Sequence, residues 1–206
     1  MVRYHSPPPA LGGSGPDFRV RNRSVSRSEL DHLSCFNDVA VLVADVVDST
    51  SLLQAAELRQ RSAIAVLTEI LNPVLEICRK HGGLALESHG DSVFVVFPQS
   101  SGVEDALAAV QALMPAHRSL PPGEPLCGEI RIGLGFGRVE FGEVSLVGLH
   151  HRSVAGRVVH ETFQAAYGRA GLPLWPVGAR APVFMTRGFA ERWWKILEER
   201  PDRNAA

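Results

Sequence analysis

Cysteine is scarce in this 206-residue chain, and Cys35, Cys78 and Cys127 are odd in number and lack metal-ligand spacing. A disulfide framework is excluded, and buried thiols in a reducing, cytoplasmic compartment are expected. No apolar window reaches the length of a membrane-spanning helix, so no membrane partner is expected. A formal net charge of −1 leaves no basic footprint for nucleic acid. The first sixteen residues, MVRYHSPPPALGGSGP, lack the apolar core of a signal peptide and read as a disordered tail. The segment that follows concentrates Arg19, Arg21, Arg23 and Arg27 and reads as a solvated arm, with an anion clamp as the functional alternative. With 45% hydrophobic residues, the remainder is expected to form one globular domain over 31–200, between an arm over 1–30 and a tail over 201–206.

What is present is an alternation of strand and helix periods. VLVADVV has the composition of a strand covered on both faces, over about 39–47. Leu67, Ile70, Leu71, Val74 and Cys78 recur at helical spacing, which predicts a helix near 53–80, kinked at Pro73 and stopped by Gly82-Gly83. LALE and SVFVVF flank SHGD and read as a hairpin turned at His89-Gly90. A second amphipathic helix carries Ala106, Leu107, Val110, Leu113 and Met114 on one face, and the strand EIRIGLGFGRVEF follows. The order β-α-β-β-α-β predicts an α+β, ferredoxin-like fold, with strands one and three adjacent in an antiparallel sheet and the helices packed on it.

That topology has a chemical consequence. A buried strand cannot carry Asp45 without compensation. Antiparallel pairing places the end of strand one beside the start of strand three, so Asp45 and Asp91 lie on strands about 4.8 Å apart. Two such carboxylates require a cation between them or a shared proton, and oxygen ligands of this kind favour Mg²⁺ or Mn²⁺. Asp48, Ser49 and Thr50 read either as caps of the next helix or, since free N–H groups at a helix start cradle phosphates, as part of a phosphate site.

VLVADVVDSTSL and KHGGLALESHGDSVFVVF together resemble the two metal motifs of class III nucleotide cyclases, the adenylate and guanylate cyclase catalytic domain family. IRIGLGFGRVEFGEV is similar to that family's strand and glycine turn, and VAGRVVHETFQAA to its transition-state helix. The resemblance implies that Asp45, the Val46 carbonyl and Asp91 hold two divalent cations, Mn²⁺ or Mg²⁺, and that the substrate is a nucleoside triphosphate. It also implies attack of the ribose 3′-hydroxyl on the α-phosphorus with loss of pyrophosphate, and sites formed between the subunits of a head-to-tail homodimer.

The chain departs from the family at several places. The base-reading position is Glu87, where adenylate cyclases carry Lys, and its partner position is Ser153; a carboxylate accepts N–H groups of guanine or uracil and disfavours ATP. His160 and Gln164 fall where the family has Asn and Arg, which removes a guanidinium from the developing phosphoryl charge. The final hairpin with its triphosphate-binding Lys is expected to be missing; Arg19, Arg21, Arg23, Arg152 and Arg157 are candidate replacements. Trp193 and Trp194 read as packing residues.

A core without a sensor domain and with an altered base pocket resembles the Pycsar pyrimidine cyclases. The resemblance implies a cytoplasmic uridylate cyclase making cUMP in anti-phage defence, with a separate cyclic-nucleotide-responsive effector. The alternatives are a guanylate cyclase and a catalytically silent, nucleotide-binding regulatory dimer.

Overall fold

The computed structural model describes residues 35–118, 130–146, 149–174 and 182–199, without the side chains of 114–118, 143–146 and 149–152. The 1–30 arm with its arginines, the 201–206 tail, Cys127 and the side chains of Met114 and Arg152 lie outside the described residues. In chain order the elements are β1 (Cys35–Val46), α1 (Ser49–Leu58), α2 (Ala63–Lys80), β2 (Leu84–His89), β3 (Ser92–Phe97), α3 (Gly102–Arg118), β4 (Ile130–Leu146), β5 (Leu149–Ala155), α4 (Arg157–Ala166), β6 (Leu172–Pro173), β7 (Val183–Met185) and α5 (Arg187–Glu198).

The sheet runs β2-β3-β1-β4-β7-β6, with β5 paired to the far half of β4. β1 is antiparallel to both β3 and β4, so the expected βαββαβ core and its central strand pair are present. The sheet is mixed rather than wholly antiparallel, because β7 joins β4 in parallel.

Local chemistry moved several expected boundaries. The helix expected near 53–80 starts at Ser49 and is two helices. Gln60 takes a left-handed φ of 55° between them, and the Ser62 hydroxyl caps α2 by accepting the Ala65 N–H at 3.4 Å. Pro73 lies on the exposed face of α2, which continues through it to Lys80. The helix ends in a Schellman turn: Gly82 has φ 80° and the Gly83 N–H donates to the Cys78 carbonyl at 2.9 Å. The β2–β3 turn is Gly90-Asp91, one residue later than expected, because Gly90 supplies the left-handed φ of 61°.

Alternation along β1 divides the interior. Ala40, Leu42, Ala44 and Val46 join the core that α1, α2, α3 and α5 cover, whereas Val39, Val41 and Val43 face α4 with Phe94, Val96 and Val158. The same alternation sends Asp45 to the α4 side. Trp193 packs on the first core but Trp194 is exposed, so the packing expectation holds for one of the two. Cys78 is buried there, which pushes its thiol up to about 12, while Cys35 is partly exposed.

The strand expected at EIRIGLGFGRVEF is present from Ile130 onward as part of β4. Gly133, Gly135 and Gly137 alternate within β4, with Ile132 and Leu134 buried on the opposite face. A Cβ on Gly133 would meet the Thr162 carbonyl oxygen, and one on Gly135 would meet the Thr162 hydroxyl. The glycines weaken a strand in isolation, yet their bare face lets the α4 backbone rest directly on the sheet. Gly135→Ala is therefore expected to lower stability by about 1–3 kcal/mol. Thr162→Ala in the same chain should recover part of the loss; full additivity in chemical denaturation would contradict the close approach.

Candidate active site

Asp45 is the penultimate residue of β1, in register with Ser92 of β3 on one side and Arg131 of β4 on the other. Its residue exposure is 1%. The Arg131 Nε donates to Asp45 Oδ2 at 2.7 Å, and the Tyr167 hydroxyl lies 3.5 Å from Oδ1, long for a hydrogen bond. The Arg131 guanidinium also stacks over the Tyr167 ring at 4.4 Å. Burial pushes the Asp45 carboxyl above its ordinary value; the Arg131 bond and charge oppose that rise and the nearby Asp91 charge reinforces it. Burial, followed by the Asp45 and Asp91 charges, raises the Tyr167 hydroxyl as well.

Asp91 sits in the β2–β3 turn and is bound once to the end of β1 and once to the start of α1. Its carbonyl accepts the Val46 N–H at 3.0 Å, and its Oδ2 accepts the Ser49 hydroxyl. The capping expectation for Asp48 to Thr50 is corrected accordingly. Asp48 occupies the cap position in a left-handed conformation, but its side chain caps no helix N–H and instead accepts the Ser51 hydroxyl at 3.0 Å. Ser49 is turned toward Asp91, and Thr50 is exposed. The first N–H groups of α1 therefore lack a side-chain acceptor among the described residues and remain available to an anion.

Among the described residues no group of three or more His, Cys, Asp and Glu side chains could enclose a metal. The hard-oxygen pair Asp45 and Asp91 still fits Mg²⁺ or Mn²⁺, which keep waters and take substrate phosphate oxygens alongside one or two carboxylates.

Glu87 lies against the β5 segment that carries Ser153, on the far side. Glu87 Oε2 accepts the Val154 N–H of β5 at 3.0 Å and lies 3.2 Å from His89 Nε2, beside Ser153 in sequence. The His89 ring meets Phe163 edge-on at 5.9 Å, and Phe163 stacks at 6.4 Å on both Phe94 and Tyr167. This aromatic row connects the Glu87 side to the Asp45 side.

The α4 candidates are not brought to the carboxylates within the chain. His160 is exposed, and its recorded bond is from its backbone N–H to the Gly156 carbonyl at 3.4 Å. Gln164 is half-buried; its backbone carbonyl accepts the Arg169 and Ala170 N–H groups. Neither side chain bonds Asp45 or Asp91 among the described residues. Arg157 is exposed and pairs with Glu161 at 3.3 Å.

Sequence reasoning missed Arg131, Tyr167 and His89. Arg131 was available in principle, because it shares the period-2 face of Gly133 and Gly135 and must cross from the end of an antiparallel β1. Tyr167 and His89 carry no local signal that separates them from surface residues.

No protein-family model matches the chain, and no curated protein matches it in sequence. Solved structures do resemble it in fold. The dimeric guanylyl cyclase domain of the RhoGC fusion protein from the aquatic fungus Blastocladiella emersonii superposes with a TM-score of 0.58 at 16% identity, over 80% of this chain and 85% of that one. The adenylyl cyclase CyaB from P. aeruginosa gives 0.55 at 19%, over 82% and 84%. The guanylate cyclase domain of RhGC from Catenaria anguillulae, in complex with GTP, gives 0.53 at 18%, over 65% and 74%. The chain has the α+β fold of adenylyl and guanylyl cyclase catalytic domains.

Proposed function

We propose that this protein is a nucleotide cyclase that converts a nucleoside triphosphate to a 3′,5′-cyclic nucleotide and pyrophosphate, with uridylate cyclase the favoured form. The observation that carries the reading is the buried Asp45 held beside Asp91 at the end of β1, in a cyclase fold and next to an uncapped helix start. Bound cations would neutralise the triphosphate and lower the pKa of the ribose 3′-hydroxyl. Asp45, Asp91 and the Val46 backbone would hold the two cations. Ser49 fixes the rotamer of Asp91, while the Arg131 bond and charge oppose the burial that disfavours the Asp45 carboxylate. The first turn of α1, from Ser49 to Thr50 behind Asp48, would receive phosphate oxygens.

Glu87 and Ser153 form the base end. An acceptor carboxylate facing the N1 acceptor of adenine would be stranded, whereas the uracil N3–H satisfies it. Guanylate cyclase is the second reading, favoured by the same carboxylate, since guanine offers donors on two adjacent positions. A silent nucleotide-binding dimer is the third; its support is Gln164 in place of a guanidinium. Because His160 and Gln164 do not reach the carboxylates of their own chain, they are assigned to the site of a second subunit in a homodimer. The cyclic product, cUMP in the favoured form, would act in the cytoplasm on a separate effector in anti-phage defence, a role that rests on the resemblance of the base pocket to the pyrimidine cyclases.

Incubation with each of the four triphosphates and Mn²⁺, with products identified by mass, is expected to yield cUMP; no cyclic product from any of them would defeat the cyclase reading. Asp91→Asn should abolish turnover with little change in melting temperature, because Asp91 is partly exposed and its Ser49 partner can bond an amide. Asp45→Asn should also abolish turnover but lower stability by roughly 1–3 kcal/mol, since it leaves Arg131 without its counter-ion. Full activity in either variant would remove the mechanism. Mixed dimers of Asp91→Asn chains and chains inactivated at His160 and Gln164 should regain part of the activity; none, despite demonstrated exchange, would place the whole site in one chain.

A further inference from the structure

Glu87 has two oxygens, but only one meets a partner among the described residues. Oε2 accepts the Val154 N–H at 3.0 Å and has His89 Nε2 3.2 Å away, whereas Oε1 has no partner among the described residues. A carboxylate oxygen offers two acceptor directions; on Oε2 the Val154 N–H takes one and the His89 ring nitrogen crowds the oxygen, so Oε1 is the oxygen left for a ligand. His89 is held in place by its edge-on contact with Phe163, which is itself stacked between Phe94 and Tyr167.

We propose that His89 is a specificity-determining residue, which restricts Glu87 to a single N–H donor and so selects uracil over guanine. This rests on the reading of Glu87 as the base end of a nucleotide site. Uracil presents one donor, N3–H, and two carbonyl oxygens that need no carboxylate. Guanine presents N1–H and an N2 amino group side by side, and a carboxylate receives both only if each oxygen is open. With Oε2 occupied, one guanine donor is desolvated without an acceptor, a loss that corresponds to roughly tenfold or more in discrimination. Cytosine and adenine have no ring N–H on this edge and can offer Oε1 only their exocyclic amino groups, beside a ring acceptor that faces the carboxylate.

The specificity therefore lies in a residue that need not touch the base. His89 is half exposed, and replacing it creates no core cavity. In His89→Ala, the freed direction on Oε2 becomes open to the guanine amino group, while the Val154 bond still holds the carboxylate. His89→Gln keeps an N–H donor at a similar reach.

The test is a competition between equal UTP and GTP with Mn²⁺, cyclic products separated by mass, together with calorimetric titration of UDP and GDP into the same proteins. The wild-type protein is expected to favour the uridine nucleotide in both measurements. His89→Ala should shift both ratios toward guanine by about tenfold, and His89→Gln should restore the wild-type ratio. Unchanged ratios in His89→Ala, or a guanine preference in the wild type, would overturn the proposal. If no triphosphate is cyclised, the cyclase reading fails by itself, and the UDP and GDP affinities still decide the role of His89: the expected shift in those affinities upholds it, and equal shifts or none overturn it.

Discussion

The ion pair between Asp45 and Arg131 is the constraint on which the site depends. Placing a carboxylate at the end of a strand buried on both faces would be prohibitive without a partner, and the partner comes from the neighbouring strand at the same register position. The pairing is asymmetric in exposure: Asp45 is sealed while Arg131 retains access to solvent on one side. It therefore offsets part of the cost of a buried charge at Asp45 without giving the interior a second fully desolvated ion. Arg131 cannot move far, because its guanidinium also lies on the face of Tyr167, a contact of the kind that stabilises a cation over an aromatic ring.

Tyr167 is within reach only because α4 lies so low on the sheet. The bare glycine face of β4 admits the backbone of α4 at Thr162, and that descent sets where the end of the helix emerges. Phe163 and Tyr167, one turn apart at the end of α4, then project along the sheet toward His89 and Asp45. The packing of one helix on three glycines thus aligns the groups around the carboxylates with those around Glu87. This coupling works through rigid placement of an element, and it needs no contact between Asp45 and Glu87.

Much of the architecture was legible because it follows from periodicity. The alternation in VLVADVV and SVFVVF, the helical stripe ending at Cys78 and the βαββαβ order are readable from apolar spacing, and they alone place Asp45 beside the Asp91 turn. Boundaries set by single backbone conformations were not readable: Gln60 divides a helix whose apolar stripe continues across the break, and Pro73 leaves intact a helix that propensity would bend. The glycines of β4 were read within a strand, but nothing in their spacing showed that a helix lies directly on them. Pairing across long sequence separation was the hardest part. Neither the Arg131 bond to Asp45 nor the Val154 bond to Glu87 leaves a mark in the local pattern, since each partner is an ordinary residue until the sheet assembles.

The length of β4 has an architectural consequence of its own. Its first half is clamped between β1 and β7, but beyond Glu140 it leaves the main sheet and continues as a two-stranded ribbon with β5. Ser153 and Val154 ride on that ribbon, which is moored to β2 through the Glu87 carboxylate. The fold thus has a foundation that carries Asp45 and Asp91 and a cantilever that carries Ser153 and Val154, joined by one continuous strand. Changes to the cantilever can reshape the surroundings of Glu87 without disturbing the strand pair that carries Asp45, so the two halves are free to diversify as separate modules.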